Sequence, residues 1–247
     1  MRMLFEGENL TKVLSDKIGD GKCILLRYGP GSGGEFLLKQ FFAEKEEGSY
    51  SVFISTYEET GEIENVLRES DLPTDGEVIS TMTLMRNEVD MVLKKDRFRK
   101  EGILVTDLLD LSSKEEEIDR RMDLNQEVLS ILSTTASKQV MPFRMAVDTL
   151  SDLVMTAGEE EVWKRFLIIR GVLRKYGGLV FVGLPEEDMV DFPISTMFDA
   201  ILDIKAVRNE DGWSRVMTVT HVRNSLVKPE DLRITEVTDI PQALSLD

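Results

Sequence analysis

The chain has 247 residues, enough for one large α/β domain with a substantial core. Its 30 Lys and Arg stand against 46 Asp and Glu, and the resulting net charge of −16 repels a phosphate backbone and disfavours nucleic-acid binding. One cysteine, Cys23, and one histidine, His221, exclude an internal disulfide and a Cys/His zinc cluster.

The N-terminus, Met1-Arg2-Met3-Leu4-Phe5-Glu6-Gly7-Glu8, meets acid too early for a signal peptide. No apolar run approaches the roughly 18–20 residues of a membrane span. A reducing, cytoplasmic setting without membrane contact is expected. Residues 23–28 predict a first strand, in which Cys23 is a small buried hydrophobe. A glycine-rich turn follows, Gly29-Pro30-Gly31-Ser32-Gly33-Gly34. A helix over 35–46 comes next, with Phe36, Leu37, Leu38, Phe41 and Phe42 on its buried face and Gly48 ending it. Ser51-Val52-Phe53-Ile54-Ser55 predicts a second strand.

Val78, Met82, Met85, Val89 and Val92 recur at helical spacing and predict a stripe that packs into the core. The basic run Lys94 to Lys100 reads as a solvated helix end. A third strand is expected at 102–107 and a surface helix at 114–133. Phe143 to Asp148 is a strand closed by an acid and preceded by Pro142. The helix over 159–176 carries Val162, Phe166, Ile169, Leu173 and Tyr176, and Gly177-Gly178 stop it. Residues 179–184 predict a fully buried strand. Three strand-like runs close the chain, near 199–207, 214–223 and 232–238, with a turn at Asn209-Glu210-Asp211-Gly212. Strand and helix alternate up to the last third. This predicts an α/β fold over 1–247 as a single domain. Its central sheet is mostly parallel, with helices on both faces and a C-terminal antiparallel extension.

The glycine turn fits three patterns. A phosphate-binding P-loop reads G-x-x-x-x-G-K-[ST], in which backbone N–H groups cradle phosphates, the lysine neutralises them and the hydroxyl holds magnesium. Gly31, Ser32 and Gly33 keep the cradle. Tyr28 stands at the leading glycine, Gly34 at the lysine and Glu35 at the hydroxyl. Glu35 is then either a magnesium ligand or a carboxylate that replaces the phosphate at a helix N-terminus. An atypical ATPase would draw its lysine from elsewhere, such as Lys39 or a neighbouring subunit, but Lys39, just over a turn beyond Glu35, points elsewhere on a regular helix. Replacing Gly34 by Lys and Glu35 by Thr is expected to install ATP binding if the cradle is otherwise intact. The same residues fit G-x-G-x-x-G as Gly29, Gly31 and Gly34, with Glu58 as the ribose acid of a dinucleotide site. They also look like the S-adenosylmethionine turn of methyltransferases, whose acid two positions before the first glycine is here Arg27.

Three further segments weigh between these patterns. They are Ser55-Thr56-Tyr57-Glu58-Glu59-Thr60, Val147-Asp148-Thr149-Leu150-Ser151-Asp152-Leu153 and Val216 to Ser225. In this order and spacing the chain resembles the RecA/KaiC-like ATPases, including archaeal RadA- and KaiC-related paralogues, over roughly residues 5–238. The resemblance implies a three-layer RecA-like P-loop fold. It implies that Asp148 orients magnesium through water and that Glu58 or Glu59 activates the attacking water. It also implies that Arg223 reaches the γ-phosphate of a neighbouring subunit, with His221 in place of the lysine two residues before it. Two phosphate-facing lysines are therefore missing. A degenerate Walker A motif and a non-hydrolysing protein follow as the expectation, with ATP and magnesium as possible cofactors. Such a protein would be a regulatory or assembly module acting through protein partners, in a homo-oligomer or a mixed assembly. A methyltransferase and a weak, atypical ATPase are the alternatives. The residues also allow plainer roles: Asp148 as a helix cap, Glu58 and Glu59 in a solvated loop, and His221 packed on a strand.

Overall fold

The computed structural model describes residues 2–5, 10–19, 21–44, 50–74, 76–80, 82–83, 143–186, 196–209, 212–223 and 230–237. The expected strand 102–107, the helix 114–133, the basic run and the stripe beyond Thr83 lie outside the described residues, as does Gly48.

In chain order the elements are β1 (Arg2–Phe5), α1 (Leu10–Ile18), β2 (Lys22–Tyr28), α2 (Gly34–Ala43), β3 (Tyr50–Ser55), α3 (Thr60–Glu69) and β4 (Glu77–Ser80). Then come β5 (Phe143–Asp148), α4 (Leu150–Ala157), α5 (Glu159–Tyr176), β6 (Gly178–Pro185), β7 (Ala200–Asn209), β8 (Gly212–Val222) and β9 (Glu230–Val237). The nine described strands form one sheet in the order β1-β9-β8-β7-β2-β6-β5-β3-β4. From β7 to β4 all pairs are parallel. The other edge, β7-β8-β9-β1, is antiparallel. This is the expected mostly parallel sheet with its antiparallel extension.

The strands of the parallel part are apolar on both sides because both faces are covered. On one face Ile24, Leu26, Tyr28, Phe53, Ala146 and Phe181 meet α1, α2 and α3. There Phe41 packs edge-on to Phe181, with ring centroids 5.2 Å apart. On the other face Cys23, Leu25, Met145, Val147, Val180 and Val182 meet α4 and α5. Two buried cations lock the layers. The Arg170 guanidinium of α5 lies 3.0 Å from an Asp199 carboxylate oxygen, and the other oxygen accepts the Cys23 amide at 3.1 Å. Arg144 of β5 donates to the Thr11 hydroxyl and the Glu44 carbonyl, and its guanidinium lies over the Phe41 ring.

Several expectations change. Val78 belongs to β4, beside Phe53 of β3, and not to a helix. Sheet pairing and half-burial decide there over a spacing of four that a strand also tolerates. The helix expected to reach residue 46 ends at Ala43, where the Glu44 amide closes on the Gln40 carbonyl. α1 was not expected, and α4 was expected only as the helix that Asp148 would cap. The N-cap of α4 is Thr149, whose hydroxyl accepts the Asp152 amide, so Asp148 is released from the capping role.

Candidate functional site

The site lies where the parallel strands end. β2 runs into the turn 29–33, and α2 starts at Gly34. Gly31 and Gly33 have φ of +69° and +80°, a backbone that suits glycine. The Ser32 amide closes on the Gly29 carbonyl and the Leu37 amide on the Gly33 carbonyl. The Ser32 hydroxyl is buried with no hydrogen-bond partner among the described residues.

Tyr28 gives the turn its character. Its alternation places it on the α2 face of the sheet. A Cβ added to Gly34 would stand 2.3 Å from both Cβ and Cγ of Tyr28. No side chain fits at position 34 while Tyr28 is present. The phenol crosses beneath the helix and its hydroxyl donates to Asp148 Oδ1 at 2.8 Å. From the end of β3, Tyr57 donates to Asp148 Oδ2 at 2.7 Å. Gly183 of β6 leaves the space for this arrangement, because a Cβ there would come within 3.0 Å of Asp148 Oδ1 and 3.1 Å of Tyr28 Cε1.

Asp148 is fully buried. Burial pushes its pKa up to about 6; the bonds from Tyr57 and Tyr28 and the charge of Lys39 pull it down, and Glu58 pushes it up. Burial first, then the Asp148 charge, drives both phenols well above their ordinary value, so they stay neutral donors.

Lys39 points into this cluster and not away from it. Side chains of a helix lean toward its N-terminus, which carries the ammonium back over one turn. Its Nζ lies 2.6 Å from Glu58 Oε2, with only 4% of the lysine side chain exposed. Glu58 is held in turn: its amide donates to Ser55 Oγ at 2.9 Å, and its carbonyl accepts from Ser80 Oγ. Glu59 is the N-cap of α3 and forms a capping box with Glu62, which accounts for it structurally.

Above the turn is a cavity of about 440 Å³ whose lining includes Gly31, Gly33, Glu35, Phe36, Glu186 and Arg215. Glu35 is exposed in the first turn of α2. Arg215 of β8 reaches the Gly31 carbonyl at 3.5 Å. Arg215 pairs with Ala206, two positions past Ile204, which lies beside Tyr28. His221 and Arg223 occupy the opposite end of β8. His221 is exposed and pairs with Ile201; the Arg223 guanidinium donates to the Thr196 carbonyl. These two residues do not face this chain's own turn. Asp148, Glu58 and Gly34 are brought together, with Tyr57 and, against expectation, Lys39; Arg215, which no sequence pattern singled out, reaches the turn.

Strand order separates the patterns that the turn alone left open. In a doubly wound dinucleotide fold the strand after the glycine-turn helix lies beside the first strand. Here β2 lies between β6 and β7, while β3 lies beyond β6 and β5. The dinucleotide reading, with Glu58 as the ribose acid, is thereby corrected.

No family model and no curated protein matches the sequence. Many solved structures match, two of them along nearly the whole chain. One is a KaiC-like protein from the hyperthermophilic archaeon Pyrococcus horikoshii, at 11% identity and a TM-score of 0.50, covering 94% of each chain. The other is the flagellar accessory protein FlaH from Methanocaldococcus jannaschii, at 11% identity and a TM-score of 0.56, covering 90% of each chain. The chain has the RecA/KaiC-like fold. In this chain the turn 29–34 joins the central strand β2 to α2, and Asp148 ends β5, which lies one strand away across β6. No helix among the described residues is long and apolar enough to cross a membrane.

Proposed function

We propose that this RecA/KaiC-like domain is a non-hydrolysing member of its fold, with a degenerate Walker A turn, that works as a regulatory or assembly module through protein partners. The observation that carries the reading is the Tyr28 phenol. It fills the space a lysine at position 34 would need and bonds to Asp148. Tyr28 and Gly34 thus act as an exchanged pair, large for small and small for large. The site is repacked and not merely missing a residue.

The residues do not fit Mg·ATP in the manner of a working P-loop. Both Asp148 oxygens already accept phenol protons. Glu58, the expected activator of water, is neutralised by Lys39 at 2.6 Å. Glu35 places a carboxylate at the mouth of the cradle, where it repels phosphate. A phosphate-facing cation typically matters on the order of 10³-fold or more in phosphoryl transfer. Lys39 is paired with Glu58, which counts against the atypical-ATPase alternative.

Titration calorimetry with Mg·ATP and with S-adenosylmethionine, beside a phosphate-release assay, tests this. The expected result is no heat with either and no release above background. Release that Asp148→Asn abolishes contradicts the proposal, and heat with S-adenosylmethionine alone makes the chain a methyltransferase candidate.

A further inference from the structure

The solvent side of α5 carries large apolar groups. Trp163 is 41% exposed, Leu167 40% and Ile168 44%. The same helix buries Val162, Phe166, Ile169 and Leu173 against the sheet, so these outer residues are surplus to the core. Gly171 is exposed, and a Cβ built on it meets nothing within 4 Å. Trp163, Leu167 and Gly171 are four apart and share one face. The charges are divided by end. Glu159, Glu160 and Glu161 occupy the first turn, and Arg174 and Lys175 the last.

That pattern is self-complementary when the helix is reversed. We propose that two copies of this chain associate through α5, antiparallel about a twofold axis at Leu167. Positions equidistant from the axis then meet, as an isologous contact requires. Trp163 lies over the partner's Gly171, where there is no side chain to displace. Glu160 faces the partner's Arg174, and Glu159 faces the partner's Lys175. Each of these contacts occurs twice. The antiparallel helix dipoles add to the attraction.

Glu160 already pairs with Lys164 at 2.8 Å on its own helix. This exposed pair is worth little and leaves the carboxylate available to a second cation. The net charge of −16 opposes any association of two copies. The basic end of α5 is where that repulsion is locally reversed. One helix face is small beside a standard interface, so the dimer is a weak one that forms in the micromolar range. The proposal is independent of whether the glycine turn binds anything.

Sedimentation velocity over a micromolar concentration series is the test, with circular dichroism and thermal melting on every variant. Wild type is expected to move from monomer to dimer. Leu167→Arg places like charges on the axis and is expected to weaken the dimer on the order of tenfold or more. Gly171→Gln is the control for folding. Glutamine favours helix over glycine, so the melting temperature should hold or rise while the dimer is lost beneath Trp163. Glu160→Arg should weaken association by juxtaposing Arg174, and Glu160→Arg with Arg174→Glu should restore it with the charges reversed. A monomer at every concentration overturns the proposal. So does a dimer or larger ring that survives both Leu167→Arg and Gly171→Gln.

Discussion

Asp148 is the residue on which the site turns, and its environment is measurable. Its pKa is raised to about 6 by burial, against 3.8 for a free carboxyl. A raised pKa means that the folded state holds the proton more tightly than the unfolded one. The group's stabilising contribution is therefore present in full below about pH 4 and is lost as pH rises through about 6, amounting to about 3 kcal/mol. Asp148→Asn removes that titration. The melting temperature of the variant should gain on wild type between about pH 4 and 6 and level off above that; a constant difference across that window contradicts the assigned burial. The phenol bonds work in the other direction. Tyr57→Phe leaves Asp148 Oδ2 without its donor and should cost about 1–3 kcal/mol at neutral pH, read by urea unfolding. The same logic makes Gly34 a sensitive position. Gly34→Ala drives a methyl into Tyr28, and a loss of about 1–3 kcal/mol is expected. The loss should shrink in a Tyr28→Gly background, where the obstruction is gone.

At the level of elements, strands buried on both faces were legible because continuous apolar runs have few other homes. β2, β5 and β6 stand where Cys23, Phe143 and Leu179 begin their runs. α5 was legible to the residue, since its apolar spacing is long and Gly177 and Gly178 stop it with φ of +80° and +107°. What escaped is short or follows another element directly. β4 has only four residues, and its Val78 also fits a helical stripe. α4 begins two residues after β5 ends, and its signal lies in Thr149, which the eye gives to the acid beside it. The pairing that joins α5 to the sheet is likewise invisible in sequence, since Arg170 and Asp199 come from different elements. Breaking it strands a buried charge. Arg170→Ala should destabilise by about 3–5 kcal/mol in urea unfolding, and a loss below about 1 kcal/mol contradicts the role given to the pair.

Across the whole molecule, the fold was more legible than the site. Alternation of strand and helix with a late antiparallel run is a global pattern, and the sheet order bears it out. The site depends on side chains that meet across long sequence separations. Tyr28 and Asp148 are 120 positions apart, and their hydrogen bond is not encoded by any spacing. Tyr28 therefore read only as a missing glycine, while its phenol reaches Asp148 and its ring lies against Gly34. Lys39 was misdirected for a related reason: an ideal helix gives the direction of Cβ, but a lysine reaches back over a full turn. Arg215 lay hidden in hairpin register, which sets it at the turn's end of β8 and His221 at the other. The earlier expectation that Gly34→Lys with Glu35→Thr restores ATP binding changes accordingly. With Tyr28 in place the lysine has nowhere to go.

The deciding experiment is titration calorimetry of Mg·ATP into two variants. One carries Gly34→Lys and Glu35→Thr; the other adds Tyr28→Gly. If Tyr28 occupies the lysine's place, the double variant stays silent and the triple variant binds, in the micromolar range of ordinary ligands. Binding by the double variant with Tyr28 still present, or by wild type itself, would show that the phenol does not fill the cradle, and the account of the repacked site would fail with it.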